Sequence, residues 1–381
     1  MTTDHPSSSQ SSTIQPPREG TFPLGDVALE LGTVLRHAFV GYKTHGQLNV
    51  DRTNGIVYPT QFAAQHGDIE WLIGPGRALD SDHYFIIAVD QLGNGVSSSP
   101  SNTPPPQDRA RFPTVTIRDD VAAQYRLVTE GFRLKSVALV TGYSMGAQQA
   151  FQWAVSYPDF VKRIAPFCGT AKTTPHNAVF LEGVRAALTT DAAWMEGDYT
   201  SPPVRGLRAL ARVYAGWGFS QAFYKKELYR ALGFNSVEDV IAGFWEPRYT
   251  RRDANNLLSM LRTWQLNDAG ASPAAGGDLR TALGSIRAKA AVIASQTDLY
   301  FTPDDVQADA ALIPGLSLPR DSVAVGSYGR SWSERRGRGV HPTGDSSTPR
   351  IMTHYSRRLT LLRRSARSRC VACLQCTSRA R

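Results

Sequence analysis

The sequence predicts an α/β protein in which a mostly parallel sheet is covered by helices and a helical cap is inserted before the last strands. Apolar segments with strand character alternate with segments of helical spacing, and a helical, Arg- and Trp-rich stretch interrupts them at 175–285. Segments that are apolar on both faces suit buried parallel strands. We therefore expect a core at 21–174 and 286–315, a cap at 175–285, a disordered leader at 1–20 and an anomalous tail at 316–381.

Composition excludes several classes of protein. A chain of 381 residues, of which 41% are hydrophobic, can bury a large core. No apolar segment approaches the roughly 18 residues that span a bilayer. The first 20 residues lack the apolar segment of a secretory signal, and the four cysteines do not form a disulfide framework. We expect a soluble, cytoplasmic protein without a membrane partner.

The net charge of +9 is not spread over the chain. Residues 316–381 contain 14 Arg, no Lys and three acids, a charge of +11, which leaves −2 for residues 1–315. A nearly neutral body does not indicate a nucleic-acid partner, and the arginines of the tail are not accompanied by an aromatic platform on which RNA bases could stack. Cys370, Cys373 and Cys376 lack a fourth ligand nearby, so we expect no metal site.

The first half of the chain contains four predicted strands. Segments 27–31 and 38–42 are short and have strand character, whereas 55–59 and 84–90 are continuously apolar. A loop rich in Gly, Ser, Asn and Pro follows at 93–113. Helical spacing then predicts a helix over 116–132, since Val121, Tyr125 and Val128 share one face and two aspartates suit its N-terminus.

The second half continues the alternation on both sides of the predicted cap. Strands are predicted at 136–141 and 163–168, separated by a helix that stops at Pro158. After the cap, residues 289–295 predict a buried strand and residues 303–312 a helix.

Residues Gly142-Tyr-Ser-Met-Gly146 fit the G-x-S-x-G pattern of a nucleophile elbow. The pattern alone is weak, but a predicted strand precedes it and a predicted helix follows, as the elbow requires. The flanking residues must be small where the helix packs on the strand, and the turn holds Ser144 in a strained conformation. Ser144 is therefore the predicted nucleophile, with the Met145 amide facing a developing oxyanion. The alternative is a buried serine in an ordinary turn between strand and helix.

An activated serine needs a base and an acid that orients the base, in the chain order Ser, Asp, His for this elbow. Asp298 stands three residues beyond the strand that ends at Ser295, where the acid belongs. Asp304 and Asp305 are alternatives that fit the first turn of the next helix better. For the second oxyanion amide we expect Thr60, or Gln61, after the strand at 55–59.

Several segments, in order, resemble the homoserine O-acetyltransferase family of α/β-hydrolases. They lie within residues 22–315 and are Tyr58-Pro-Thr60, Trp71-Leu-Ile-Gly-Pro-Gly-Arg-Ala-Leu-Asp80, Gly142–Gly146, Trp153-Ala-Val-Ser-Tyr-Pro158, Thr297-Asp-Leu-Tyr-Phe301 and, in the cap, Gly206-Leu-Arg-Ala-Leu-Ala-Arg212 and Arg252-Asp-Ala-Asn-Asn256. The resemblance implies an α/β-hydrolase fold and transfer of an acetyl group from acetyl-CoA, a co-substrate, through acyl-Ser144 to a hydroxyl acceptor. No bound cofactor is expected, and a homodimer is left open. By the same resemblance Arg212 meets a substrate carboxylate, with an exposed helix arginine as the alternative.

Two segments depart from that family. The elbow helix reads Gly142-Tyr-Ser-Met-Gly-Ala-Gln-Gln149 in place of a more glycine-rich version, and residues 91–100 replace the loop on the substrate side. We interpret the chain as a divergent branch whose acceptor is homoserine, another alcohol or water. The alternatives to acetyl transfer are an esterase or deacylase that uses water, or a pseudoenzyme without its catalytic histidine.

The catalytic histidine is missing where the fold requires it. No histidine occurs between Asp298 and His341, and neither His341 nor His354 follows a strand signal. His176 suits the cap hinge, and the remaining histidines suit surface or loop positions (His5, His37, His45, His66 and His83). The codons for Val325-Gly-Ser-Tyr328 can be chosen so that, one base along, they read Trp-Gly-His. We therefore favour a frameshift or wrong exon near Pro314–Gly315 over a genuine basic tail.

Restoring the reading frame tests this interpretation. A one-base shift near Gly315 should add a strand and a Trp-Gly-His segment and raise acyl turnover by roughly 10⁴-fold, the scale on which a triad member acts. The chain as printed should be poorly soluble and nearly inactive. Normal turnover of the printed chain, abolished by His341→Ala or His354→Ala, would instead establish a functional tail.

Overall fold

The computed structural model describes residues 16–316, and the predictions for residues 1–15 and 317–381 lie outside them. The described chain forms one seven-stranded sheet in the order β1-β2-β4-β3-β5-β6-β7. The first two strand pairs, β1–β2 and β2–β4, are antiparallel, and the other pairs are parallel. The strands are β1 (Arg18–Ala28), β2 (Val34–His45), β3 (Gly55–Pro59), β4 (Phe85–Val89), β5 (Leu139–Tyr143), β6 (Arg163–Phe167) and β7 (Lys289–Ala290).

Helices cover both faces of the central strands. They are α1 (His66–Ile69), α2 (Ile117–Arg126), α3 (Met145–Ser156), α4 (Pro175–Thr189), α5 (Val204–Gly218), α6 (Gln221–Lys225), α7 (Val237–Val240), α8 (Glu246–Thr250), α9 (Ala254–Gln265), α10 (Leu279–Gly284) and α11 (Pro303–Ala310). Helices α4 to α10 lie between β6 and β7, where the sequence predicts the cap. None of the helices within residues 16–316 is long and apolar enough to cross a membrane.

The buried strands β3 and β4 explain why the sheet lies in the middle of the protein. Every residue of both strands is buried. Because side chains alternate along a strand, Val57 and Ile87 enter one apolar cluster and Ile56 and Ile86 enter the other. Strands that must bury both faces need helices on both sides. The predicted α/β fold class is confirmed.

Three strand predictions need correction. β1 begins at Arg18, inside the predicted leader, because it pairs along β2 from Arg18 opposite Thr44 onward. β5 begins at Leu139 rather than 136, since Val137 makes only an isolated bridge, to Val161. β7 ends at Ala290, and the rest of the predicted strand 289–295 contributes a single bridge to β6.

Helix α3 packs against β5 and β3 at very short range, and two glycines permit this. A Cβ atom on Gly142 would lie 2.3 Å from the carbonyl carbon of Gly146, and one on Gly146 would lie 2.7 Å from the carbonyl oxygen of Pro59. Both distances are far below van der Waals contact, and both neighbours are backbone atoms that cannot rotate away. The start of α3 is therefore held directly above the end of β3.

We expect Gly146→Ala to push α3 away from β3, because the methyl group meets the Pro59 carbonyl oxygen. The free energy of unfolding should fall by about 1–3 kcal/mol, the usual cost of overpacking, as measured by urea denaturation. Gly183→Ala is the matched control: this glycine lies in α4 and a Cβ there meets nothing within 4 Å. The control should be neutral or stabilising by up to about 1 kcal/mol through helix propensity. Equal losses in both variants would contradict the packing argument.

Candidate active site

Ser144 occupies the turn between β5 and α3 in a strained backbone conformation. Its φ of +55° and ψ of −120° lie outside the regions that residues with a Cβ normally adopt. The Ser144 amide donates to the Phe167 carbonyl oxygen (3.1 Å), and the Ser144 carbonyl accepts from the Ala147 amide (2.8 Å). These bonds on both sides hold the turn, whose strain costs on the order of 1–3 kcal/mol. The serine side chain is thus fixed at the carboxyl end of the sheet.

Met145 is the first residue of α3 and follows the serine directly. An amide in the first turn of a helix has no carbonyl partner inside the helix and lies at the positive end of the helix dipole. The Met145 amide is therefore available to an anionic oxygen bonded to the Ser144 side chain.

The loop after β3 does not offer the amide of Thr60. That N–H donates to the Val89 carbonyl oxygen (2.9 Å), because the β3–β4 ladder continues one residue past the strand. The expectation for Thr60 as an oxyanion donor is therefore wrong. For the alternative, Gln61, the amide has no hydrogen-bond acceptor among residues 16–316.

Buried glutamine side chains hold this loop from two directions, and the sequence analysis missed them. The Gln149 Nε2 donates to the Thr60 carbonyl oxygen (3.0 Å), and the Gln91 Nε2 donates to the Gln61 carbonyl oxygen (3.1 Å). The backbone N–H of Gln91 also donates to the Thr60 hydroxyl oxygen (3.1 Å). The sequence could have indicated Gln91 and Gln149, because they are polar residues at positions that the strand and helix patterns predict to be buried.

Asp298 lies in the turn that follows β7, half-buried. Its Oδ1 accepts hydrogen bonds from the backbone amides of Tyr300 (3.1 Å) and Phe301 (2.9 Å), which fixes the carboxyl group. Burial raises the pKa of Asp298 to about 6, and the two amides oppose the shift. The alternatives behave as the pattern indicates, since Asp304 and Asp305 form the first turn of α11.

The described histidines are engaged elsewhere or exposed. His66 contacts the buried carboxylate of Asp90 through Nδ1 (2.6 Å), and this hydrogen bond raises the pKa of His66. The His176 ring packs against Trp217, at 5.1 Å between ring centroids. Within residues 16–316 no hydrogen bond or ion pair joins a histidine to Ser144 or Asp298. The other histidines of this range are His37, His45 and His83; His5, His341 and His354 lie outside it.

Aromatic side chains of the cap close over the loop after β3. The Phe62 ring stacks on Tyr214 of α5 (5.8 Å between centroids) and lies 6.2 Å from the ring of Tyr249 in α8. Tyr214 also lies 6.2 Å from the ring of Tyr300, beside the acid. The cap therefore rests on both loops that carry candidate site residues, and an apolar wall forms there.

An ion pair joins the cap to the same loop. Arg252, at the start of the turn before α9, pairs with Asp68 of α1, and its Nε donates to the Ala63 carbonyl oxygen (2.9 Å). Arg251 reaches the other oxygen of Asp68 (2.6 Å). Ala63 itself has a positive φ of 61°. The strained end of the loop is thus clamped by the cap.

The guanidinium of Arg212 is already paired with protein carboxylates. Its guanidinium donates to Glu238 (2.5 Å) and to Glu246 (2.9 Å), and its side chain is 46% exposed. Two protein carboxylates therefore occupy the group that was expected to bind a substrate carboxylate. The structure supports the alternative, an exposed arginine on the outer side of the cap.

Comparisons with known proteins agree with this fold. A family model for the alpha/beta hydrolase fold matches residues 64–325. The ethyl acetate hydrolase of Pseudomonas veronii is 42% identical over 76% of this chain and 84% of its own length. The solved structure of the acetyl esterase MekB, 41% identical, matches with a TM-score of 0.76 over 78% of this chain and 86% of that chain.

The resemblance to homoserine O-acetyltransferases is more distant. The enzyme of Trichormus variabilis is 31% identical over 76% of this chain and 83% of its own length. The two esterases are more similar to this chain than the transferase is. Membership of the homoserine O-acetyltransferase family, expected from the sequence motifs, is therefore not shown. The family model and the solved structures agree on the broader family: the chain belongs to the α/β-hydrolase fold family.

Proposed function

We propose that the chain is a serine esterase that hydrolyses small acetate esters, with water as the acyl acceptor. The observation that carries the proposal is the backbone of Ser144, held at φ +55° between a buried strand and the start of a helix. Strain of this kind persists only where the surrounding structure enforces it, and in a nucleophile elbow it places the serine at the sharp turn between strand and helix. The similarity to an ethyl acetate hydrolase and an acetyl esterase supports the choice of ester.

The mechanism follows from the positions of the candidate groups. The Ser144 hydroxyl attacks the ester carbonyl carbon, and the amides of Met145 and Gln61 stabilise the negative oxygen that forms. The base takes the proton of the Ser144 hydroxyl and gives it to the alcohol as the alcohol leaves. The base then takes a proton from the water that attacks the acyl-Ser144 ester and returns it to the serine oxygen as acetate is released. Ionised Asp298 orients the base and stabilises its protonated form. The base must come from outside residues 16–316, and the wild type of the activity measurements below is therefore the chain with its reading frame restored near Gly315.

Water is the favoured acceptor because the arginine expected to bind a homoserine carboxylate is already engaged within the protein. Arg212 is paired with two glutamates, so its own guanidinium is not free for the carboxylate of an amino-acid acceptor. The rings of Phe62, Tyr214 and Tyr249 instead suit an uncharged ester. Acetyl transfer from acetyl-CoA remains the second candidate, favoured by the 31% identical transferase.

Ser144→Ala tests the nucleophile. The variant should fold normally, since the side chain makes no hydrogen bond within the described residues, and it should lose covalent labelling by a serine-directed phosphonate. Hydrolysis of ethyl acetate should fall to the uncatalysed background, as measured by acetate release. Labelling that persists in the variant would show that another residue is the nucleophile.

The acceptor is tested on the same protein preparation. Acetate release from ethyl acetate should exceed O-acetylhomoserine formation from acetyl-CoA and homoserine by at least about 100-fold, a difference near 3 kcal/mol in transition-state binding. Faster transfer than hydrolysis would overturn the esterase proposal in favour of the acetyltransferase.

Asp298→Asn separates catalysis from stability. The pKa of Asp298 is about 6 in the folded protein and 3.8 in the unfolded chain. The free energy of unfolding therefore falls as pH rises between these two values. Asparagine retains the oxygen that accepts from Tyr300 and Phe301 but avoids the buried charge. The variant should therefore gain about 1–3 kcal/mol over the wild type at pH 8 and almost nothing below about pH 4.

Ester turnover should follow the opposite trend. Wild-type activity should decline as pH falls through about 6, when Asp298 takes up its proton, and the Asn variant should be nearly inactive throughout. Asp304→Asn, at an exposed position in α11, is the control and should change neither property by more than a few tenths of a kcal/mol. An Asn variant that is less stable at pH 8 would contradict the assignment.

A further inference from the structure

Three buried side chains form a continuous hydrogen-bonded relay from the sheet-facing side of α2 and α3 to the loop after β3. The Trp153 Nε1 donates to the Gln124 Oε1 (2.8 Å), and the Gln124 Nε2 donates to the Gln149 Oε1 (2.5 Å). The Gln149 Nε2 then donates to the Thr60 carbonyl oxygen (3.0 Å). All three side chains are at most 1% exposed. Buried amides need partners, so each link depends on the others.

The hydrogen bonds of this relay can have only one order of donors and acceptors. An indole N–H can only donate, so Gln124 must turn its oxygen toward Trp153 and its NH₂ group toward Gln149. Gln149 in turn must present its oxygen to Gln124, which leaves its NH₂ group for the Thr60 carbonyl. The orientation of the Gln149 amide is therefore set by a tryptophan about one turn further along α3.

A trans peptide group transmits this orientation to the candidate oxyanion donor. The carbonyl of Thr60 and the N–H of Gln61 belong to one planar unit and point in opposite directions. With the Thr60 oxygen held by Gln149, the Gln61 N–H is directed away from the relay. The next peptide group is fixed as well, because the Gln61 carbonyl accepts from the Gln91 Nε2 (3.1 Å) and from the Ala64 amide (3.0 Å).

We propose that Gln149, oriented by Gln124 and Trp153, is a positioning residue that aims the Gln61 amide at the oxyanion of the reaction. The inference rests on the proposed esterase function for its catalytic consequence. Gln149 also donates to the Met145 carbonyl oxygen (3.2 Å), so one side chain contacts both backbone segments that carry the oxyanion donors. It touches no reacting atom and acts only through the peptide of Thr60 and Gln61.

Gln124→Glu tests the direction of the relay. The new carboxylate can accept from Trp153 but has no hydrogen for Gln149, whose amide must turn over and place its oxygen against the Thr60 carbonyl. We expect kcat for ethyl acetate to fall by about 10- to 100-fold, less than the 10²–10³ of a deleted oxyanion donor, with KM within twofold. The ³¹P NMR shift of the Ser144 phosphonate adduct should move, because its oxygen loses a hydrogen bond.

Gln149→Met is the second variant, since it introduces no buried charge, and it should give the same kinetic pattern. Gln152→Met is the matched control: Gln152 is buried in the same helix and its Nε2 donates to the Ser156 hydroxyl (2.8 Å), away from the loop. The control should leave kcat and the ³¹P shift unchanged. Equal effects of Gln149→Met and Gln152→Met would overturn the proposal, because they would indicate only a loss of buried polar contacts.

Hydrogen exchange of the loop at residues 60–64 gives a readout that needs no activity. Exchange there should be at least about tenfold faster in Gln149→Met than in Gln152→Met. Unchanged exchange would refute the positioning role even in an active esterase. If the wild type neither hydrolyses esters nor reacts with phosphonate while Gln149→Met still accelerates exchange, the esterase proposal fails and the positioning of the loop is supported.

Discussion

Helix α3 and strand β3 approach each other until a single methyl group no longer fits between them. Gly146 lies against the carbonyl of Pro59, and Gly142 lies against the backbone of Gly146. This approach brings the loop after β3 within reach of the first turns of α3, where Gln149 contacts the Thr60 carbonyl. The positions of the strained serine and of the two candidate oxyanion amides relative to each other depend on this one contact between backbones. A wider spacing would separate Ser144 from the loop that carries Gln61.

The sequence could predict Ser144 because the requirements of the elbow are local. A strand, a glycine on each side and a helix occur within some twenty consecutive residues, and each of them leaves a pattern. Asp298 was proposed for a similar reason, as it follows an apolar segment with strand character. Both candidates therefore rest on short-range signals alone.

Thr60 and Arg212 show where such reasoning fails. Whether the amide of Thr60 is free depends on how far β3 continues its pairing with β4, a contact between segments thirty residues apart. Whether Arg212 is free depends on glutamates that fold back from 26 and 34 residues further along the chain. The boundaries of β1, β5 and β7 were inaccurate for a related reason, because pairing partners and not propensity decide where a strand ends.

The ion pair between Arg252 and Asp68 gives this fold an evolutionary constraint. The aromatic rings of the cap pack over the loop after β3, and Arg252 of the same cap holds the Ala63 carbonyl oxygen of that loop. If the chain is the proposed esterase, a change that remodels the cap for a bulkier ester also moves the loop that carries Gln61. Selectivity and rate would then change together, and a new substrate would be acquired through changes that keep the pair of Arg252 and Asp68.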